Sequence, residues 1–132
     1  MIDLSAALLM YITENILTEY TPKVNAFTDV RPNKPDSLLV VNEYDSGQGK
    51  YNNICATRYV QIQIRHKSNS VAKAHCWQVF NHLGDVKHEN FVELSDRLVA
   101  IYVQKTPRKL LVDDQGRYVW FIDLAITSRN EI

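Results

Sequence analysis

Apolar residues recur along this chain at two distinct periods, in separate stretches. Leu4, Leu8, Ile12, Ile16 and Tyr20 stand four apart with Leu9 and Leu17 beside them, which predicts an amphipathic helix over residues 3–20. Asp3 and Ser5 are helix-capping types, and Pro22 lies just past the end. Ala72, Cys76, Val79, Phe80 and Leu83 repeat at three and four and predict a second helix over 70–83. Ser68-Asn69-Ser70 opens it, and Gly84 stops it.

Strand patterns fill the intervals. The run Leu38-Leu39-Val40-Val41 predicts a buried strand over 37–44. Residues 57–66 alternate, with Val60, Ile62 and Ile64 on one face and Gln61, Gln63 and Arg65 on the other. Residues 98–105 alternate again, 91–96 read as a short edge piece, and 118–127 are apolar on both faces, as a central or covered strand is. Pro22, Pro32 and Pro35 exclude a helix or central strand from 21–37, apart from a short extended piece around 26–30. Gly47, Gly49, Asn52 and Asn53 make 45–56 an exposed loop, and Asp113 to Gly116 form a turn that closes a hairpin. The order α-β-loop-β-α-β-β predicts an α+β fold in one domain over 1–132, with a four-stranded mixed sheet and both helices packed on one face.

Composition narrows the function classes. At 132 residues with 45% hydrophobic and 23% charged residues, the chain is of ordinary globular make-up and long enough for one core. Fifteen basic residues balance 15 acidic ones, and the balance holds in each half, which disfavours a protein living on phosphate backbones. No apolar run is long enough to span a membrane, and no basic stretch precedes the first helix as in a signal peptide. Cys55 and Cys76 lack a CxxC spacing or a secretory context, so free thiols are expected.

No constellation for chemistry stands out. His75 and Cys76 are adjacent on a helix and point about 100° apart, a poor arrangement for a nucleophile and its base. His66, His75, His82 and His88 show no zinc spacing, and Asp113-Asp114 fit turn chemistry. Gly47-x-Gly49 lacks the third glycine and the helix of a phosphate cradle. Catalytic, cofactor and metal sites are therefore not expected. Lys105, Arg108, Lys109 and Arg117 flank the last hairpin as a basic rim, with Lys50 in the loop as a possible addition.

Two stretches carry a resemblance. YVQIQIRHKSNSVAKAHCWQVFNHL (residues 59–83) and TPRKLLVDDQGRYVWFIDLAIT (residues 106–127) resemble the minor capsid or tail terminator (tail completion) proteins of long-tailed bacteriophages. The matching positions are Arg65, Ala72, Ala74 and Leu83, then Pro107, Leu110 or Leu111, Asp113 or Asp114, Gly116 and Arg117; Leu111 and Val112 stand where relatives often carry Gly. The resemblance implies a structural virion protein, not an enzyme. It implies a hexameric ring that caps the head-proximal end of the tail tube, stops its polymerisation and joins the tail to the head connector. Implied partners are further copies, tail tube protein and a head-completion protein, with DNA only passing through the lumen and no cofactor.

On that basis subunit contacts are expected at Gln61, Gln63 and Arg65 and at Tyr118 and Trp120, since Arg, Tyr and Trp dominate interface energetics. The loop Ser46, Gly47, Gln48, Gly49, Lys50, Tyr51, Asn52 and Asn53 is expected to face the lumen or a neighbour. Three alternatives compete: another neck or connector component, a nucleic-acid module using the polar sheet face and stacking bases on Tyr59 or Tyr118, and a small enzyme with Cys55 or Cys76 as nucleophile.

Overall fold

A computed structural model of the chain describes residues 3–44, 55–84, 89–95 and 97–129. Helix α1 (Leu4–Asn15) starts where Asp3 accepts a 3.1 Å hydrogen bond from the Ala6 N–H. It ends at Asn15, short of the predicted end at residue 20. The Leu17 N–H reaches back to the Ile12 carbonyl at 2.8 Å, and Ile16 leaves helical dihedrals at φ −121° and ψ −61°. Leu17 and Tyr20 remain buried beyond the helix, so the period in the sequence marked burial past the point where the helix stops. Helix α2 (Asn69–Leu83) runs as predicted from the Ser68 cap to Gly84, whose φ of 103° suits a residue without Cβ.

The strands are β1 (Ala26–Thr28), β2 (Leu38–Tyr44), β3 (Cys55–His66), β4 (Glu89–Leu94), β5 (Arg97–Val103), β6 (Arg108–Val112) and β7 (Tyr118–Arg129). Among the described residues they form one sheet of seven strands in the order β1-β2-β3-β7-β5-β4, with β6 also on β7, in place of the four predicted. It is mixed: β1 and β2 run parallel, and every other pair is antiparallel. Strand β7 organises it. Its full length pairs with β3 on one edge, while its other edge is shared between β6 near Tyr118 and β5 near Leu124.

The undercount has physical causes. β1 is only three residues long, and β6 carries Leu110, Leu111 and Val112 all exposed, with a bulge after Lys109, so neither shows a period of two. β4 pairs along its whole length with β5, more than an irregular edge piece. β3 begins at Cys55, inside the stretch predicted as loop; Ser46 to Asn53, with Lys50 among them, lie outside the described residues.

Both helices cover the same face of the sheet. Leu8 and Ile12 of α1 and Cys76, Val79 and Leu83 of α2 share one apolar cluster with Leu39, Val41, Val60, Ile62, Ile64, Ile122, Leu124 and Ile126. Side chains alternate across a strand, so the residues between these define the opposite face.

Candidate functional site

The face away from the helices is a ladder of aligned cross-strand pairs. Tyr59 faces Ala125, Gln61 faces Asp123, Gln63 faces Phe121 and Arg65 faces Val119; on the other side of β3, Tyr44, Asn42, Val40 and Leu38 continue the same rows. The two ends of this surface differ.

At one end residues 31–36 are held across the sheet by two arginines. The Arg65 guanidinium donates to the Pro35, Asn33 and Asp36 carbonyls at 2.6, 3.2 and 3.4 Å. Arg117 donates to the Asn33 carbonyl and, at 3.0 Å, to its side-chain Oδ1, and pairs with Asp113 at 2.8 Å. Asp113 is fixed in turn by the Gln115 and Arg117 N–H groups, and Gly116 takes the left-handed conformation at φ 74° that the turn needs. Arg31 reaches Gln63 at 3.1 Å from the same segment. Both arginines are only 3% exposed, and burial together with the adjacent Arg117 charge pushes the Arg65 guanidinium below its ordinary range.

These contacts correct two expectations. Arg65 is not an exposed contact residue, and Arg117 is not part of a basic rim; each is buried and committed to carbonyl groups of the 31–36 segment. Four of the residues behind the resemblance converge here: Arg65 from one motif, and Asp113, Gly116 and Arg117 from the other.

At the other end a polar network centres on Asp123. Its carboxylate accepts from Arg108 at 2.7 Å, Gln61 at 3.1 Å and the Tyr44 hydroxyl at 3.4 Å. The Arg108 guanidinium also lies 4.4 Å from the Phe121 ring centre, and the Thr57 and Thr127 hydroxyls meet at 2.9 Å. Burial and the facing Asp123 charge push Tyr44 up to about 12, so it stays a neutral donor. Gln61 and Gln63 are half-buried members of this surface.

Tyr118 and Trp120 lie on the opposite, helix-bearing face. Both pack against the core cluster; the Trp120 indole donates to Asn69 at 2.9 Å and carries the Lys73 ammonium 5.7 Å over its ring. The five expected contact residues thus divide between two faces. The basic rim divides too: Lys105 and Lys109 are exposed, with the Lys109 ammonium 6.0 Å from the Tyr118 ring, while Arg108 is bound to Asp123.

Among the described residues, the Cys76 thiol and the imidazoles of His75 and His82 are engaged in packing and hydrogen bonds. Cys76 is fully buried, and that burial pushes its thiol up to about 12, away from an activated thiolate; the Cys55 side chain lies outside the described residues. His75 meets the Tyr20 hydroxyl at 2.9 Å and His82 meets Tyr11 at 2.9 Å, two links between α2 and the first segment. Among the described residues no three His, Cys, Asp or Glu side chains gather as a metal site requires. Among the described residues no helix is long and apolar enough to cross a membrane.

Sequence reasoning missed Asn33, Asp36, Tyr44 and Asp123 as members of this surface. Asp123 carried a signal, as the one charge within the run 118–126. The carbonyl partners of the arginines carried none, because backbone carbonyls have no sequence signature.

Comparison with known families gives a match. The family model described as bacteriophage tail terminator protein covers residues 9–129, which takes in both arginine-bearing motifs, the 31–36 segment and nearly every element of the fold. No curated protein matches the chain.

Proposed function

Because the chain belongs to the bacteriophage tail terminator family, a structural component of the virion, we propose that it caps the head-proximal end of the tail tube. On this reading it stops tube polymerisation and joins the tail to the head connector, acting as a hexameric ring. Its partners are further copies, tail tube protein and a head-completion protein, and DNA passes the lumen without sequence recognition.

The observation that carries the reading is the family match across residues 9–129. The geometry is consistent with it. A sheet face built from cross-linked side chains, stiffened at one end by residues 31–36, gives a pre-formed surface that can meet a partner with little ordering cost. Gln61 and Gln63 are the contact residues on that surface, with Tyr44 and Asp123 beside them. Arg65 acts through the segment it holds.

The test is electron microscopy of tail tube protein polymerised with and without this protein. Capped, length-limited tubes with ring density at one end support the proposal; unbounded tubes in both samples overturn it. A Gln61→Ala, Gln63→Ala variant, shown to be folded, is expected to leave a larger share of tube ends uncapped.

A further inference from the structure

Two exposed apolar patches lie on the sheet away from the network just described. Phe91 and Leu98, 64% and 68% exposed, stand on the helix-free face of β4 and β5, with Tyr102 beside them and the Glu93 carboxylate directly opposite Leu98. Leu110, Leu111 and Val112 are exposed in succession along β6, Leu111 in the Val119 row of the helix-free face and Val112 in the Tyr118 row on the side that also carries Lys109, so the strand presents apolar side chains around its outer edge. The other large apolar side chains exposed among the described residues, Met10, Val24 and Val30, come from α1 and the chain around β1.

Each patch includes an edge strand, β4 with Phe91 in the first and β6 in the second, while Leu98 and Tyr102 stand on the adjoining β5. β4 ends the strand order and β6 pairs only with β7, so the outer backbone of each has no strand partner among the described residues. Soluble sheets protect such edges with inward charges, prolines or coverage, and three consecutive exposed apolar residues do the opposite. Each patch therefore fits a surface that is covered when the protein is at work.

We infer that the β6 edge of one copy packs against the Phe91–Leu98 patch of the next, so that subunits join head to tail. This rests on the ring reading above and specifies its contact. Charge decides between the possible pairings. A patch meeting its own copy would set Glu93 against Glu93, or Lys109 against Lys109, whereas the crossed arrangement brings carboxylate to ammonium. Two different surfaces in one contact make it heterologous, the kind that propagates from copy to copy and closes into a ring when the rotation allows.

Cysteine cross-linking tests the pairing on the assembled protein. Leu98→Cys and Leu111→Cys proteins of distinguishable mass are mixed, assembled with tail tube protein and oxidised, with the unsubstituted protein treated in parallel. The expected product is the mixed L98C–L111C dimer above that background. Same-variant dimers in its place, or assembly with no cross-link, overturn the contact while leaving the ring reading intact. Unsubstituted protein that never assembles at tube ends overturns both. Charge exchange adds a second readout: Glu93→Lys or Lys109→Glu alone should lower ring occupancy by about tenfold or less, as expected of a rim charge pair. The two substitutions in one chain should restore it, and failure of that rescue counts against the contact, because a merely destabilised protein would be made worse by the second change.

Discussion

The two faces of the sheet are held by different physics. On the helix-bearing face Leu8, Cys76, Ile62 and Ile122 bury apolar surface, and any well-fitting hydrophobic side chain would serve nearly as well. On the opposite face, Arg65 and Arg117 hold a segment with few apolar anchors through carbonyl oxygens and two carboxylates. The first arrangement tolerates exchange of side chains of similar volume. The second depends on the fork geometry of guanidinium, which lysine cannot reproduce.

The largest effect is expected on the covered face. Ile62 is fully buried between α2 and the middle of the sheet, and Ile62→Ala should cost about 2–5 kcal/mol through lost burial and the cavity left behind. Urea unfolding followed by circular dichroism measures it. A loss below about 1 kcal/mol would show that the core collapses around the gap, and would weaken the contrast between the faces.

A smaller but more local effect is expected at the clamp. Arg117→Met keeps the apolar stem and removes the donors to Asn33, Asp36 and Asp113, for about 1–3 kcal/mol. Hydrogen exchange should rise over residues 31–36 and stay unchanged in α2. Equal increases in both would mean that the segment unfolds only with the whole domain.

Acidification separates the two regions by pH. Burial disfavours the charged imidazole of His75, so as pH falls through its ordinary value of 6.5 the unfolded chain takes up the proton first; stability is complete above that value and declines below it. At the clamp, the Arg117 N–H and guanidinium hold the Asp113 carboxyl below its ordinary value of 3.8, so that contribution is present above 3.8 and is lost as pH falls further, through the lower folded value. Thermal midpoints against pH should fall in two steps. His75→Gln should flatten the upper step and Asp113→Asn the lower, and a profile unchanged by both variants would remove titration at these sites as the cause.

This contrast also explains what could be read from the sequence. Periods of two and four report burial against one apolar face, so both helices, β2, β3, β5 and β7 were legible, as was the turn at Gly116. The period continued through Leu17 and Tyr20, which are buried outside the helix, because burial rather than helicity sets it. Arg65 looked exposed from its position opposite Ile64 and Ile62, since alternation assumes that the second face meets solvent. It cannot register a proline-containing segment some 30 residues away that lies over that face. β6 was illegible for the related reason that neither of its sides is buried within the chain.

The smallest expected effect lies at the uncovered end of the second face. The Tyr44 hydroxyl reaches Asp123 at 3.4 Å, the longest of that carboxylate's three contacts, and Arg108 and Gln61 remain when it is removed. Tyr44→Phe should therefore change stability by less than about 0.5 kcal/mol. Arg108→Met breaks the shortest contact and the packing over Phe121, and should cost about 1 kcal/mol more than Tyr44→Phe. If the order reverses, the network is organised around the tyrosine rather than the ion pair. The free end of the sheet would then resemble the clamp, a site where one donor fixes its neighbours, and the distinction between the two ends of this face would fall.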